Sequence, residues 1–152
     1  NVDARLKELG ITIPDAPAPA ANYVPYTVTG NLVFVSGQVP FVDGKLIATG
    51  RIGESATPKE GYEQARICAI NLIAQVKAAC GGDLDRVTRV VKLGGFVASA
   101  DDFNGQPGVV NGASDLMVEV FGDAGRHARF AVGTNALPLG CIVEIDGVFE
   151  ID

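Results

Sequence analysis

The chain has 152 residues, 47% of them apolar and 20% charged, which is enough for one hydrophobic core and too few for two. Its 18 acidic residues outnumber 12 Lys and Arg, and the resulting formal charge of -6 repels phosphate backbones and disfavours nucleic acid as a partner. No apolar run approaches the roughly 20 residues that a bilayer span needs, so we expect a soluble, cytoplasmic protein without a membrane partner.

The N-terminal segment differs in composition from the rest of the chain. Val2 to Leu9 predicts a short helix, and the proline-rich run that starts at Pro14 predicts an extended connection, because proline removes a backbone donor and restricts the residue before it. We therefore divide the chain into an N-terminal helix and linker, residues 1–22, and a folded domain, residues 23–152.

The first strands of the domain are marked by β-branched and aromatic residues. Tyr26 to Pro40 predicts two strands that meet at a tight turn at Gly30-Asn31. A further short strand is expected from Leu46 to Arg51.

The clearest helix begins after Thr57. Thr57 can cap the helix, Pro58 suits its first position, and Glu60 completes a capping box. Apolar residues then recur at helical spacing until Gly81-Gly82, where glycine permits the left-handed conformation that ends a helix.

The second half of the domain alternates strand and helix. Val87 to Ser99 predicts a strand, and Gly94-Gly95 within it indicates a bulge or a close backbone approach. Val109 to Phe121 predicts a second helix, and strands follow at Arg129 to Thr134 and Cys141 to Ile151. Two amphipathic helices on one sheet make a two-layer α+β domain, and a second copy of the chain could cover the other sheet face.

Cysteine and histidine are too sparse to suggest a metal centre. Cys68, Cys80 and Cys141 are widely spaced without a CxxC pair, so neither a disulfide scaffold nor a zinc site is indicated. The single histidine, His127, cannot build a metal cluster alone. We therefore expect no metal and no cofactor.

Polar residues embedded in apolar strands are the candidates for chemistry, because burying a polar group costs free energy unless it is paired. Arg129 could bind a ligand carboxylate or form a structural ion pair with Glu144 or Asp146. Glu144 could be that ion-pair partner or a base that orients water. His127 is either a solvated loop residue or a residue that takes part in catalysis.

Three further polar residues have ordinary structural explanations. Tyr26 is typical of a sheet residue and Ser36 of a turn or strand edge. Asn111, near the predicted start of the second helix, could cap that helix.

Two segments carry a family resemblance. NLVFVSGQVP, from Asn31 to Pro40, and ARFAVGTNALPLGCIVEID, from Ala128 to Asp146, resemble the signature regions of the Rid (YjgF-type) family. The second segment is the more specific, because the arginine, the Leu137-Pro138 pair and the glutamate keep the family's spacing. The resemblance extends from about Tyr23 onward.

The resemblance implies a chorismate-mutase-like α+β fold with a mixed sheet packed by two helices, assembled as a homotrimer with ligand sites between subunits. It also implies hydrolysis of 2-imino acids and enamines of the 2-aminoacrylate type to 2-oxo acids and ammonia. Arg129 matches the family's carboxylate-binding arginine, and Glu144 matches its water-positioning glutamate. The implied substrate-binding positions are Tyr26, Ser36, Gly37, Asn111 and Ala131.

Departures from the family pattern indicate a divergent, chorismate-mutase-like branch. His127 stands where the well-known deaminases usually have proline, and the loop from Asn104 to Gly108 is altered. One alternative is a non-catalytic protein that binds a small carboxylate metabolite. The net negative charge disfavours a second alternative, an endoribonuclease or translation inhibitor. Chorismate mutase activity would rest on fold analogy alone.

Overall fold

The computed structural model describes residues 1–18 and 21–152. Part of the predicted proline-rich linker, residues 19 and 20, lies outside the described residues. The described elements are α1 (Val2–Glu8), β1 (Tyr26–Thr29), β2 (Leu32–Gln38), β3 (Phe41–Val42), β4 (Lys45–Leu46), α2 (Pro58–Ala79), β5 (Val87–Ala98), α3 (Gln106–Phe121), β6 (Ala128–Thr134) and β7 (Val143–Ile151).

The main sheet has the strand order β1-β2-β7-β5-β6. Only β5 and β6 run parallel, and the other neighbours are antiparallel, so the sheet is mixed. The buried residues of α2 and α3 share one core with the inward-facing residues of the strands. The predicted two-layer α+β architecture is therefore confirmed.

The capping box predicted for α2 is present. The Glu60 amide donates to the Thr57 hydroxyl, and the Thr57 amide donates to the Glu60 carboxylate. At the other end, Gly81 and Gly82 take φ values of +64° and +95°, which glycine adopts without steric cost. Within the described residues, no helix combines the length and the hydropathy that crossing a bilayer requires.

Three expectations about secondary structure need refinement. The strand predicted from Leu46 to Arg51 is wrong: β4 ends at Leu46, and Gly50 takes a φ of +134°, which is outside the strand region. The second helix begins at Gln106 rather than near Val109, so Asn111 lies inside it and does not cap it.

The Gly94-Gly95 pair allows a close approach. A Cβ on Gly94 would collide with the side chains of Asp146 and Phe130, and one on Gly95 would lie 2.7 Å from Val110 of α3. The register shifts of β5 fall earlier in the strand, before Leu93. Of the two alternatives, close backbone approach is the one observed.

Close packing of the two long helices depends on Gly112, where an added Cβ would collide with the Tyr62 carbonyl oxygen of α2. We predict that Gly112→Ala lowers the free energy of unfolding by about 1–3 kcal/mol, because backbone must move to admit the methyl group. Gly108, in the first turn of the same helix, has open space at the Cβ position. Gly108→Ala should leave stability unchanged or slightly raised. Urea titration of both variants checks the prediction, which equal midpoints would contradict.

The face of the sheet opposite the helices carries exposed apolar side chains. Phe34, Phe96 and Val132 are 43%, 41% and 42% exposed, respectively. Phe96 also packs edge-on against Phe130, with 5.4 Å between the ring centroids. Exposed apolar side chains on one face of a sheet are typical of a protein interface.

Candidate functional site

Arg129 lies on β6, at the edge of the sheet, and its guanidinium contacts α3. Nη1 donates to the Ser114 hydroxyl at 3.2 Å, and Nη2 donates to the Pro107 carbonyl at 3.2 Å. None of the ion pairs formed within residues 1–18 and 21–152 includes Arg129. The guanidinium is thus held by neutral acceptors, and its positive charge is not neutralised by a carboxylate of the described chain.

Two other predicted site residues lie near this edge. Ala131 is two residues after Arg129 on the same strand face and packs partly against the core. Asn111 is exposed on α3, three residues before Ser114, and therefore lies on the same side of the helix. Together with Arg129 they form what we call the α3/β6 edge.

Glu144 lies on β7 and borders a cavity of about 320 Å³. The buried residues of β7 alternate, with Val143 and Ile145 facing the helices, so Glu144 points to the opposite face of the sheet. The cavity is also lined by Ser36 and Gly37, and by residues of the N-terminal segment, of the chain before β1, of the β2–β3 region and of the turn before β7: Pro17, Ala18, Ala21, Tyr23, Pro25, Gln38, Val39, Phe41, Pro138 and Leu139.

Gly37 is required for the approach of Glu144. A Cβ at position 37 would collide with Glu144 Oε2, so only glycine leaves room for the carboxylate there. The pairing of β2 with β7 shifts register between Val35 and Gln38, which releases Ser36 and Gly37 from the regular ladder. The Ser36 hydroxyl donates to the Pro25 carbonyl at 3.0 Å, so its oxygen can still accept a hydrogen bond.

The Glu144 carboxyl has an environment that favours its protonated form. Burial raises its pKa, and the negative charge of Asp146 raises it further. Glu144 takes part in no ion pair with the part of the chain that the structure describes. A carboxyl in such surroundings can accept and return a proton nearer to neutrality than an exposed glutamate.

Tyr26 is more peripheral. It pairs with Val35 on β2 and packs partly against the core. It borders a second cavity of about 240 Å³, which also reaches Ser36 and Asp146.

The structure therefore divides the predicted site residues into two groups. Arg129 pairs in register with Leu93, a core residue on the helix side, whereas Glu144 pairs with Phe96 on the exposed side. Arg129 and Glu144 thus lie on opposite faces of one sheet. The alternative of an ion pair between Arg129 and Glu144 or Asp146 is wrong within this chain.

Sequence reasoning missed two residues next to these groups and left the role of a third, His127, open. Ser114 contacts the Arg129 guanidinium, and its spacing of three from Asn111 on a helix was the available signal. Leu139 lines the Glu144 cavity with a φ of +60°, a conformation that a leucine pattern does not predict. His127 is half-buried, and both of its ring nitrogens have hydrogen-bond partners, so it is not a solvated loop residue.

Comparison with known proteins places this geometry in a family. The family model described as "YjgF/chorismate mutase-like, putative endoribonuclease" matches residues 3–149, a range that includes the N-terminal segment outside the sequence resemblance. A Trypanosoma cruzi protein named TCP17 is 51% identical over 153 residues, covering 100% of this chain and 95% of its own. A Dermatophagoides farinae protein named 2-iminobutanoate/2-iminopropanoate deaminase is 29% identical over 143 residues, or 93% of this chain and 95% of its own.

The fold is shared with a solved structure. The crystal structure of a protein of unknown function from Agrobacterium tumefaciens superposes with a TM-score of 0.93 at 51% identity, covering 99% of this chain and 92% of that one. The family match and the fold agree with the two sequence motifs, and the chain belongs to the YjgF/chorismate mutase-like family, also called the Rid family.

Proposed function

We propose that this protein is a hydrolytic deaminase that converts 2-imino acids, and the enamines that tautomerise to them, into 2-oxo acids and ammonia. The observation that carries the proposal is the Arg129 guanidinium, held at the α3/β6 edge by neutral acceptors and without a carboxylate partner among the described residues. Its planar fork suits the carboxylate of a small 2-imino acid. A relative that is 29% identical carries the name of such a deaminase.

The reaction needs little beyond positioning and one proton acceptor. With Arg129 holding the carboxylate, water attacks the C=N carbon and Glu144 accepts a proton from that water. Attack on the protonated imine gives a tetrahedral carbinolamine, and Glu144 returns the proton to the nitrogen of that intermediate. The C–N bond then breaks and releases ammonia, while the hydroxyl proton passes to Glu144 as the C=O bond of the 2-oxo acid forms. An iminium carbon is already electrophilic, so we assign bond formation to the attacking water and proton transfer to the Glu144 carboxyl.

Arg129 and Glu144 can meet at one substrate only if two copies of the chain each contribute one of them. We propose a homotrimer in which the exposed apolar face around Phe96 and Val132 is covered by a neighbouring copy. That neighbour's α3/β6 edge would then approach the cavity that Glu144, Ser36 and Gly37 line.

An imine-trapping assay tests the activity. An amino-acid oxidase generates 2-imino acids from several amino acids, semicarbazide traps the imine, and the protein should lower the amount trapped while releasing ammonia faster. Amino acids of different side-chain length give the substrate range. The oxidase with heat-denatured protein provides the baseline.

Two outcomes would contradict the proposal in different ways. Binding of 2-oxobutanoate by calorimetry without faster imine loss would make this a metabolite-binding protein. The absence of both binding and turnover would contradict the assignment of a small carboxylate as the ligand. Cleavage of RNA would support the family's endoribonuclease description, which the formal charge of -6 disfavours.

We predict that two inactive variants restore each other when they assemble together. Arg129→Ala and Glu144→Gln, co-expressed with different tags and purified through both, should recover about a third of wild-type activity, since each trimer that contains both variants unites the two intact residues at one of its three shared sites. Each variant alone is the control. A mixture no more active than the separate variants would place both residues in one chain's site.

A further inference from the structure

A chain of hydrogen bonds runs behind the Arg129 guanidinium, and we call it the Arg129 relay. His127 Nδ1 lies 2.6 Å from the Gly125 carbonyl oxygen, and His127 Nε2 lies 2.8 Å from the Ser114 hydroxyl. Arg129 Nη1 donates to the same hydroxyl at 3.2 Å. The relay therefore joins β6, α3 and the turn between them.

The direction of each hydrogen bond follows from what its partners can do. A carbonyl only accepts, so His127 Nδ1 carries the proton that points to Gly125. In a neutral imidazole, Nε2 is then an acceptor and takes the Ser114 hydroxyl hydrogen. The Ser114 oxygen is left with its lone pairs toward Arg129, whose guanidinium can only donate. All three contacts are satisfied by one arrangement of hydrogens.

The surroundings of His127 support its neutral form. Burial lowers its pKa and the Arg129 charge lowers it further, while the hydrogen bond to Gly125 opposes both. A charged imidazole would turn Nε2 into a donor and would release the Ser114 hydroxyl from its orientation.

We propose that Ser114 and His127 are positioning residues that hold the Arg129 guanidinium in the orientation that receives the substrate carboxylate. An arginine side chain has many rotamers, and fixing it before the ligand arrives removes an entropic cost from binding. Ser114 and the Pro107 carbonyl occupy part of the guanidinium, and its remaining N–H donors are available to the ligand. The inference rests on the proposed function.

Kinetics of three variants separate positioning from a merely structural role. Ser114→Ala and His127→Asn should each raise KM for 2-imino acids about tenfold while kcat changes less than about twofold, because they weaken a contact made equally before and during reaction. Asparagine keeps a donor for Gly125 but is too short to reach Ser114. His127→Gln is the conservative control: its Oε1 can take the place of Nε2, and KM should stay within about threefold of wild type.

A double variant tests whether Ser114 acts through Arg129. In an Arg129→Lys background, adding Ser114→Ala should change the Kd for 2-oxobutanoate by less than about twofold, because the side chain that Ser114 orients is gone. A tenfold further loss would mean that Ser114 contacts the ligand itself, and the proposal would be overturned.

The single histidine of the chain allows a test without ligand. Long-range proton–nitrogen NMR of the histidine-labelled protein should show His127 neutral, with the proton on Nδ1, near neutral pH. The Nε2–H tautomer, or wild-type kinetics in both Ser114→Ala and His127→Asn, would overturn the relay. Should wild type neither bind nor turn over, the proposed function fails. The His127 tautomer and the mobility of the Arg129 guanidinium in Ser114→Ala then still decide whether the relay holds that side chain.

Discussion

Replacing Arg129 with alanine is expected to lower kcat/KM for 2-imino acids by about 100- to 10,000-fold, the range for losing two charge-assisted hydrogen bonds to a carboxylate. The loss should appear mainly as a higher KM and as a higher Kd for 2-oxobutanoate, because the anchor holds the same carboxylate before and during the reaction. The kcat/KM of Arg129→Lys should lie between those of wild type and Arg129→Ala, since lysine keeps the positive charge but lacks the planar guanidinium.

The matched control for Arg129→Ala is Arg126→Ala. Arg126 lies three residues earlier and is 70% exposed, with Asp123 as its ion-pair partner among the described residues. Its removal makes the same change in net charge and should leave KM and kcat unchanged. Because Arg129 also contacts α3, circular dichroism and thermal unfolding must show that Arg129→Ala still folds. Unchanged turnover in a folded Arg129→Ala variant would exclude Arg129 as the anchor.

Most of the fold could be predicted because its signals are local in sequence. The capping box at Thr57, the glycines after Cys80 and the alternation along β7 each specify an element from a few neighbouring residues. The strand expected from Leu46 to Arg51 failed because strand formation also needs a partner. At Gly50 the chain turns away and meets the Gly140 carbonyl instead.

The division of the site could not be read from the sequence. Arg129 and Glu144 are separated by a turn and belong to strands that both neighbour β5, one parallel to it and one antiparallel. Which face each side chain takes depends on that pairing, and a shift by one residue would reverse it. The spacing of the motif thus identified both residues without showing that they face apart.

The relay behind Arg129 is another non-local feature. The sequence marked His127 as a departure from the family pattern, but Ser114 lies 13 residues earlier and meets it only when α3 packs beside β6. A serine in a helix is by itself typical of a solvent-facing or back-bonded hydroxyl. Only the tertiary contact relates the unusual histidine to the arginine.

Replacing Glu144 with glutamine is expected to lower kcat by about 100- to 10,000-fold, the usual contribution of a positioned general base. Binding of 2-oxobutanoate should remain within about threefold of wild type, because the anchor is Arg129 and glutamine keeps the shape of the side chain. Glu150→Gln is the control on the same face of β7, where Glu150 accepts a hydrogen bond from Thr88. Equal losses of kcat in both variants, or a large loss of binding in Glu144→Gln, would contradict a base at position 144.

The pH profile gives this base a second signature. Glu144 must be ionised to accept a proton from water, so kcat/KM should rise with pH through its pKa in the free enzyme. Burial, and then the charge of Asp146, raise that pKa. The acid limb of the profile, where kcat/KM rises with pH, should therefore lie at higher pH than it would for an exposed glutamate. Asp146→Asn removes one negative charge and should move the limb to lower pH, while Glu150→Gln should not move it. A limb that stays in place in Asp146→Asn, or shifts upward, would mean that another group titrates there.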